Sequence, residues 1–224
     1  MSTENQSVCA VVVAAGSSRR MGGENKLLLP LCGKPVLAHT LTVFQMCGAV
    51  RDIVLVCREQ DMEVYRTLAA ENGITKLRTL TRGGDTRTES VLAGVSAASE
   101  ACALVAVHDG ARPLVSDEVI TQAVAEAAKT GAAAPVVPVK DSIKRIENGK
   151  IAADVPRDTL AAVQTPQVFR RDMLLHALLD AAANGRSFTD DCAAVEALGQ
   201  TVSATSGSYE NIKVTTPEDI AVAE

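Results

Sequence analysis

Short apolar runs and amphipathic segments alternate along the first half of the chain. The apolar runs are typical of strands buried on both faces, and the segments between them repeat apolar residues at helical spacing. Buried strands joined by helical crossovers are typical of a parallel sheet with helices on both faces. The pattern therefore predicts an α/β fold with a doubly wound, mostly parallel, Rossmann-like sheet. The predicted strands are 8–14, 51–57, 76–80 and 102–108, and the predicted helices are 35–47, 61–72, 86–99 and 116–130.

The alternation breaks after residue 130. Residues 131–165 contain three prolines, and Asn148-Gly149 lies between two extended runs, which is a strong hairpin signal. We predict that 138–160 is a protruding β-arm suited to dimerisation, with an unstructured excursion as the alternative. Helices are expected at 170–184 and at 189–198, the second capped by Thr189. The whole chain, 1–224, is predicted to be one domain with the arm as a subregion.

Composition narrows the class of protein. The chain has 224 residues, of which 47% are hydrophobic and only 2% aromatic, and its net charge is −5. Few aromatic residues and no basic excess argue against a nucleic-acid partner. No apolar run approaches the ~18 residues that span a bilayer, so no membrane partner is expected. The N-terminus lacks the features of a signal peptide, and the six cysteines form no C-x-x-C pair, so we expect a cytoplasmic protein with reduced thiols.

A loop of small residues and cations follows the first predicted strand. Ala14, Ala15 and Gly16 allow backbone N–H groups to approach a ligand closely, and Arg20 and Lys26 supply positive charge. Open α/β sheets bind ligands at the carboxyl ends of their strands, so a polyphosphate cradle is predicted here. The loop matches neither the Walker A pattern nor G-x-G-x-x-G. A solvated turn between strand and helix is the alternative.

A second polar cluster follows the strand 102–108. Asp109 is placed to coordinate Mg²⁺ bound to phosphate oxygens, with a structural loop cap as the alternative. His108 is a candidate general base, but it alternates with apolar strand residues, which favours simple packing.

Two further segments carry candidate chemistry. The glycine-rich turn 82–90 leads into a helix whose N-terminus is suited to a nucleotide's ribose or base, although a plain loop capped by Asp85 or Thr86 explains it nearly as well. Lys213 lies in a short run predicted to be a strand, on the face opposite Ile212 and Val214.

The three histidines have no zinc-ligand spacing, and there is no G-x-S-x-G elbow, which argues against zinc and serine-hydrolase chemistry.

Together these segments resemble one enzyme family. The loop 14–26 is similar to the signature loop of nucleotidyltransferases that activate sugar phosphates, and 107–113 narrows the likeness to the cytidylyltransferases of isoprenoid-precursor synthesis. Segments 141–145, 164–169, 189–191 and 211–215 extend the match, in order, over nearly the whole chain. The chain differs from the common family pattern at Ser18, where Gly is frequent, and at Val13, where Pro is frequent.

The resemblance implies a reaction and its participants. CTP and 2-C-methyl-D-erythritol 4-phosphate would give the CDP-linked methylerythritol and pyrophosphate, with Mg²⁺ or another divalent cation, in a homodimer whose arm completes the partner's site. A cytidylyltransferase for another polyol phosphate, such as ribitol 5-phosphate, is the nearest alternative. More distant ones are a GTP or sugar 1-phosphate nucleotidyltransferase and a nucleotide-binding regulatory protein without catalysis.

The resemblance also implies residue roles. Arg20, Lys26 and Lys213 would be catalytic, and Asp109 would hold the metal. The nucleotide would be bound by Ala14, Ala15, Gly16, Gly84, Asp85, Ser90, Asp109 and Gly110. Arg112 would support the loop on the nucleotide side and join the acceptor set, which comprises Arg112, Ser142, Arg157, Thr165 and Thr189.

Overall fold

The computed structural model describes residues 7–16 and 25–224. Its strands, in chain order, are β1 (Val8–Ala14), β2 (Pro30–Leu31), β3 (Lys34–Pro35), β4 (Val50–Cys57), β5 (Leu77–Arg82), β6 (Leu104–Asp109), β7 (Ala132–Pro138), β8 (Ile143–Glu147), β9 (Lys150–Val155), β10 (Ala161–Val163), β11 (Gln167–Arg170) and β12 (Ser203–Ser206). The α-helices are α1 (Val36–Met46), α2 (Met62–Glu71), α3 (Arg87–Ala97), α4 (Asp117–Thr130), α5 (Arg171–Ala183), α6 (Asp191–Glu196) and α7 (Glu218–Ala223). Within the described ranges, no helix is long and apolar enough to cross a bilayer.

The main sheet confirms the predicted fold class. Its strand order is β10-β7-β11-β6-β1-β4-β5, with β12 also paired to β7. Strands β6, β1, β4 and β5 are mutually parallel, and β11 runs antiparallel between β6 and β7. The four parallel strands are those predicted from the sequence, so the sheet is mostly parallel at its centre and mixed at one side.

Strand β1 lies at the centre because both of its faces are apolar. Ala10 and Val12 belong to the core shared with α1 and α2, whereas Cys9 and Val11 belong to the core on the face covered by α3, α5 and α6. Alternate side chains of a strand point to opposite faces, so the unbroken apolar run supplies both cores at once.

The register brings the ends of the parallel strands together. Ala14 of β1 lies beside Cys57 of β4, Cys57 lies beside Arg82 of β5, and Val13 lies beside Asp109 of β6. The loops that leave these four carboxyl ends therefore share one edge of the sheet, where open α/β sheets bind ligands.

The predicted arm is a separate hairpin. Among the residues that the structure describes, strands β8 and β9 pair only with each other, and Asn148 and Gly149 between them have φ of 50° and 74°. Positive φ at both central residues is what a type I′ turn requires. Ile146 and Ile151 pair near its tip and are 58% and 69% exposed.

Three sequence-based expectations need correction. Residues 132–138 contain Pro135 and yet form strand β7, because the carbonyl of Pro135 still accepts a hydrogen bond from the Gln164 N–H. Helix α6 is capped by Asp190 rather than Thr189, because the Asp190 side chain accepts the Ala193 N–H at 2.9 Å. Residues 211–215, all described, form no strand.

Candidate active site

A cleft of about 800 Å³ lies over the carboxyl ends of β1, β4, β5 and β6. Most of the residues predicted to bind the nucleotide or catalyse the reaction line it together, although they come from five separate segments. These residues are Ala14, Ala15, Gly16, Lys26, Gly84, Asp85, Ser90, Asp109, Gly110 and Lys213. Arg20 lies outside the described residues.

The glycines give the cleft its shape. A Cβ on Gly83 would lie 2.6 Å from the Cβ of Ala15, and one on Gly110 would lie 3.1 Å from the carbonyl oxygen of Val13. The loops after β1, β5 and β6 thus touch where a side chain would separate them, and the backbone itself forms the cleft floor.

The turn after β5 is held rigidly by helix α3. Thr86 and Glu89 form a capping box, in which Glu89 Oε2 accepts the N–H groups of Asp85 and Thr86. Ser90 Oγ donates to the carbonyl of Gly84 at 3.3 Å and to that of Thr86 at 2.9 Å. Thr86 is therefore the cap, and Asp85 is left facing the cleft.

Asp109 is the charged centre of the opposite wall. Its Oδ2 lies 3.0 Å from Lys213 Nζ and 3.4 Å from Arg112 Nε. Burial by itself would raise the pKa of Asp109, but the positive charges of Lys213, Arg87 and Arg112 outweigh it and lower the pKa to about 2. Asp109 is ionised at neutral pH.

The two cleft lysines are bound to neighbouring groups. Lys26 Nζ donates to the carbonyl of Val214 at 2.7 Å, directly beside Lys213, and the Val214 N–H donates to the Ala111 carbonyl. Arg112 adds a bond of 2.6 Å from Nη1 to the Asn211 carbonyl. The segment 211–215 is thereby pinned across the end of β6, and Arg112 supports the site from behind rather than lining the cleft.

His108 packs in the core, as its alternation with apolar residues favoured. It is fully buried, with its ring centre 4.8 Å from that of Phe44. Nε2 lies 3.3 Å from the Arg112 carbonyl, so it carries the proton, and Nδ1 accepts from the Thr165 hydroxyl at 3.0 Å. Burial lowers the pKa of His108 to about 4, so the ring is neutral at pH 7.

The residues predicted to bind the acceptor are more scattered. Thr165 is buried, and its Oγ1 also accepts the Asp109 N–H at 3.1 Å, so it orients the strand end. Ser142, Arg157 and Thr189 are exposed and do not line this cleft.

Some residues of the cleft were given no role from the sequence. Arg58, Glu59 and Gln60 lie outside the predicted segments, whereas Arg82 and Arg87 belong to the turn 82–90 and Thr215 to segment 211–215. Arg58 follows β4 directly, so the rule that ligands bind at strand ends would have found it. The bidentate pair of Arg87 with Asp191, at 2.7 and 2.8 Å, spans 104 residues and left no local signal.

Asp109 is the residue best suited to a divalent cation. Among the contacts described, Lys213 and Arg112 both bind Oδ2 of Asp109, and the Asp109 residue lines a cleft that also contains Asp85. No cluster of three metal-ligating side chains occurs within residues 7–16 and 25–224. This arrangement fits Mg²⁺, which takes one or two carboxylates and completes its shell with water and phosphate oxygens.

A family model described as 2-C-methyl-D-erythritol 4-phosphate cytidylyltransferase matches residues 8–224. The chain belongs to this family. A protein of that name from Bacillus licheniformis is 46% identical over 215 residues, covering 96% of this chain and 93% of its own. One from Dehalococcoides mccartyi is 44% identical over 221 residues, covering 98% and 96%.

Solved structures agree with this family membership. The 4-diphosphocytidyl-2C-methyl-D-erythritol synthase of Anaerococcus prevotii superimposes with a TM-score of 0.88 at 28% identity, covering 98% of this chain and 95% of its own. The 2-C-methyl-D-erythritol 4-phosphate cytidylyltransferase of Thermus thermophilus gives a TM-score of 0.78 at 31% identity, covering 96% of each chain. The cytidylyltransferase fold is therefore shown for this chain over nearly its whole length.

The buried, neutral state of His108 gives a test by pH. We expect ¹⁵N NMR to report the Nε2–H tautomer without protonation down to about pH 5. Because the unfolded chain takes up this proton near 6.5 and the folded chain only near 4, the free energy of unfolding should fall as pH drops across that interval, by about 3 kcal/mol from this group.

The variants His39→Gln and His176→Gln assign the signal, since they leave His108 as it is. A His108 titration midpoint near 6.5 in the folded protein would contradict the assigned hydrogen bonds.

Proposed function

We propose that this chain transfers CMP from CTP to 2-C-methyl-D-erythritol 4-phosphate and releases pyrophosphate. The observation that carries the proposal is the convergence of Lys26, Lys213 and Asp109 on one cleft whose floor is glycine backbone. Backbone N–H groups and cations suit a triphosphate, and the activity for which the family is named supplies the nucleotide and the acceptor.

The reaction needs positioning and charge more than acid–base chemistry. A phosphate oxygen of the acceptor attacks the α-phosphorus of CTP, and the bond from that phosphorus to the oxygen bridging to the β-phosphate breaks. A phosphate monoester is mostly dianionic at neutral pH, so no strong base has to remove a proton. This agrees with the neutral, buried state of His108.

Negative charge moves onto pyrophosphate as that bond breaks, and the cleft cations oppose it. Lys26, with Arg20 and the N–H groups of Ala15 and Gly16, holds the β- and γ-phosphates. Lys213 lies against the α-phosphate, at the end of its ion pair with Asp109. Preorganised charges of this kind stabilise a transition state without reorganisation during the reaction.

Asp109 would hold a divalent cation through its carboxylate. The ion, when bound, neutralises phosphate charge and orients the triphosphate for in-line attack. Gly84, Asp85 and Ser90 form the opposite end of the cleft and would receive cytosine and ribose, with Ala14 and Gly110 closing on the nucleotide.

We infer a homodimer in which the arm completes the partner's acceptor site. The hairpin stands apart from the main sheet, and a two-stranded hairpin with exposed isoleucines is marginally stable by itself. Ser142 and Arg157 lie on the arm or at its base, and the Arg157 guanidinium is anchored to the Lys140 carbonyl at 2.7 Å. With Arg112, Thr165 and Thr189 these residues make up the proposed acceptor set.

The six free cysteines, five of them buried, support a reducing compartment, as in the cytoplasm.

Acceptor choice tests the proposed reaction directly. With CTP and Mg²⁺, we expect pyrophosphate release with 2-C-methyl-D-erythritol 4-phosphate but not with ribitol 5-phosphate or without an acceptor. The Lys26→Ala variant is the matched control and should lose turnover while CTP binding only weakens, because Lys26 acts mainly on the transition state. Release with ribitol 5-phosphate alone would overturn the acceptor, and unchanged turnover in Lys26→Ala would overturn the assignment of the site.

Mixed dimers test whether the arm serves the partner's site. Arg157→Ala and Lys26→Ala homodimers should each be inactive. When the two variants are mixed, half of the dimers carry one site with both residues intact, so roughly a quarter of wild-type activity should return. No recovery, in a sample shown by mass spectrometry to contain mixed dimers, would mean that Arg157 serves the site of its own chain.

A further inference from the structure

A partly buried polar network supports the wall of the cleft that carries Lys26. We call Asn25, Arg58, Asp61 and Tyr65 the Tyr65 network. Tyr65, on helix α2, is fully buried in an apolar core, and its hydroxyl lies 2.8 Å from Asn25 Nδ2 and 3.2 Å from Asn25 Oδ1. Burial raises the pKa of Tyr65 to about 12, so this hydroxyl stays neutral. A buried hydroxyl is costly unless bonded, and here its described partner is Asn25.

Asn25 fixes the backbone around Lys26. Its Oδ1 accepts the Leu27 N–H at 3.2 Å, and its carbonyl accepts the Leu28 N–H at 2.9 Å. Lys26 therefore lies in a turn that is closed by two hydrogen bonds to Asn25, one to its side chain and one to its carbonyl. The Asn25 side chain is in turn hydrogen-bonded to the hydroxyl of Tyr65.

The same amide reaches a second cleft cation. Asn25 Nδ2 lies 3.4 Å from Asp61 Oδ1, and Asp61 binds Arg58 through Nε at 2.6 Å and Nη2 at 3.2 Å. The hydrogen bond that Arg58 donates to Asp61 raises the pKa of Arg58, which keeps its charge. Arg58 lines the cleft near the end of β4, and its two hydrogen bonds to Asp61 fix one edge of the guanidinium.

We propose that Tyr65 is a positioning residue for the triphosphate: through Asn25 it fixes Lys26, and through Asn25 and Asp61 it fixes Arg58, at the cleft wall. The proposal also makes Arg58 a phosphate-binding residue of this chain. It rests on the proposed use of CTP. An apolar ring alone would fill the space under α2, so the hydroxyl is the part of Tyr65 that serves the site.

The variant Tyr65→Phe removes this hydroxyl and keeps the ring. We expect kcat to fall about fivefold or more and CTP affinity to fall by a similar factor, because small displacements of positioned groups are costly. Affinity for CMP, which lacks the β- and γ-phosphates, should stay within about twofold. Calorimetry with CTP and with CMP, each with Mg²⁺, measures this ratio.

Thr42→Val is the matched control. It also deletes a hydroxyl, one that donates to the Ala38 carbonyl within α1 and does not line the cleft, so kcat and both affinities should match those of the wild type. Equal loss of CTP and CMP affinity in Tyr65→Phe, or unchanged kcat, would overturn the proposal. Absence of CTP binding by the wild type would instead overturn the proposed function.

Asn25→Ala provides an independent test should Tyr65→Phe fold poorly. It cuts the network at its centre and should reproduce the selective loss of CTP affinity. In the Asn25→Ala background, Tyr65→Phe should have no further effect on kcat, since both changes break the same connection. The proposal would be overturned if Asn25→Ala lost no CTP affinity relative to CMP affinity. It would also be overturned if the two substitutions lowered kcat multiplicatively in the double variant.

Discussion

The negative charge of Asp109 is the constraint on which the rest of the site depends. A carboxylate at the nearly buried end of β6 is costly unless cations compensate for it, and Lys213, Arg87 and Arg112 do so strongly enough to lower its pKa to about 2. Two of these cations also organise the chain. Lys213 and Arg112 bind segment 211–215 to the end of the sheet, and this segment carries the carbonyl that receives Lys26. One ionised group thus aligns the two lysines proposed to act on the triphosphate.

The cleft is locally cationic in an acidic protein. The chain carries a net charge of −5, yet two lysines and three arginines line the cleft. Two of those arginines are held from outside it by buried carboxylates, Arg87 by Asp191 and Arg58 by Asp61. These two ion pairs fix the positions of Arg87 and Arg58 before a ligand binds, as electrostatic catalysis requires. The proposed specificity for phosphate therefore depends on where these cations are placed and not on the net charge of the protein.

Local sequence pattern predicts the parallel strands of the fold and the parts of the site that directly follow them. The four parallel strands are apolar enough to be recognised singly, and small residues after β1 and β5 mark where backbone must approach a ligand. Strand β7 was not predicted because Pro135 argues against a strand. Proline lacks only the backbone N–H donor, and its carbonyl can still accept a hydrogen bond from a neighbouring strand. The Asn25–Tyr65 and Arg87–Asp191 contacts join residues 40 and 104 positions apart, and no local pattern encodes such a meeting. The arm's relation to a partner remains a prediction for the same reason.

Lys213, held by Asp109, is proposed to act on the negative charge that develops during CMP transfer. Single-turnover pyrophosphate release by Lys213→Met, with CTP and acceptor both saturating, tests it most directly. Methionine keeps the length of the side chain and removes its charge. We expect the rate to fall by about 10²-fold or more while the Kd for CTP changes by no more than about threefold. An unchanged single-turnover rate, with the whole effect in CTP affinity, would contradict it.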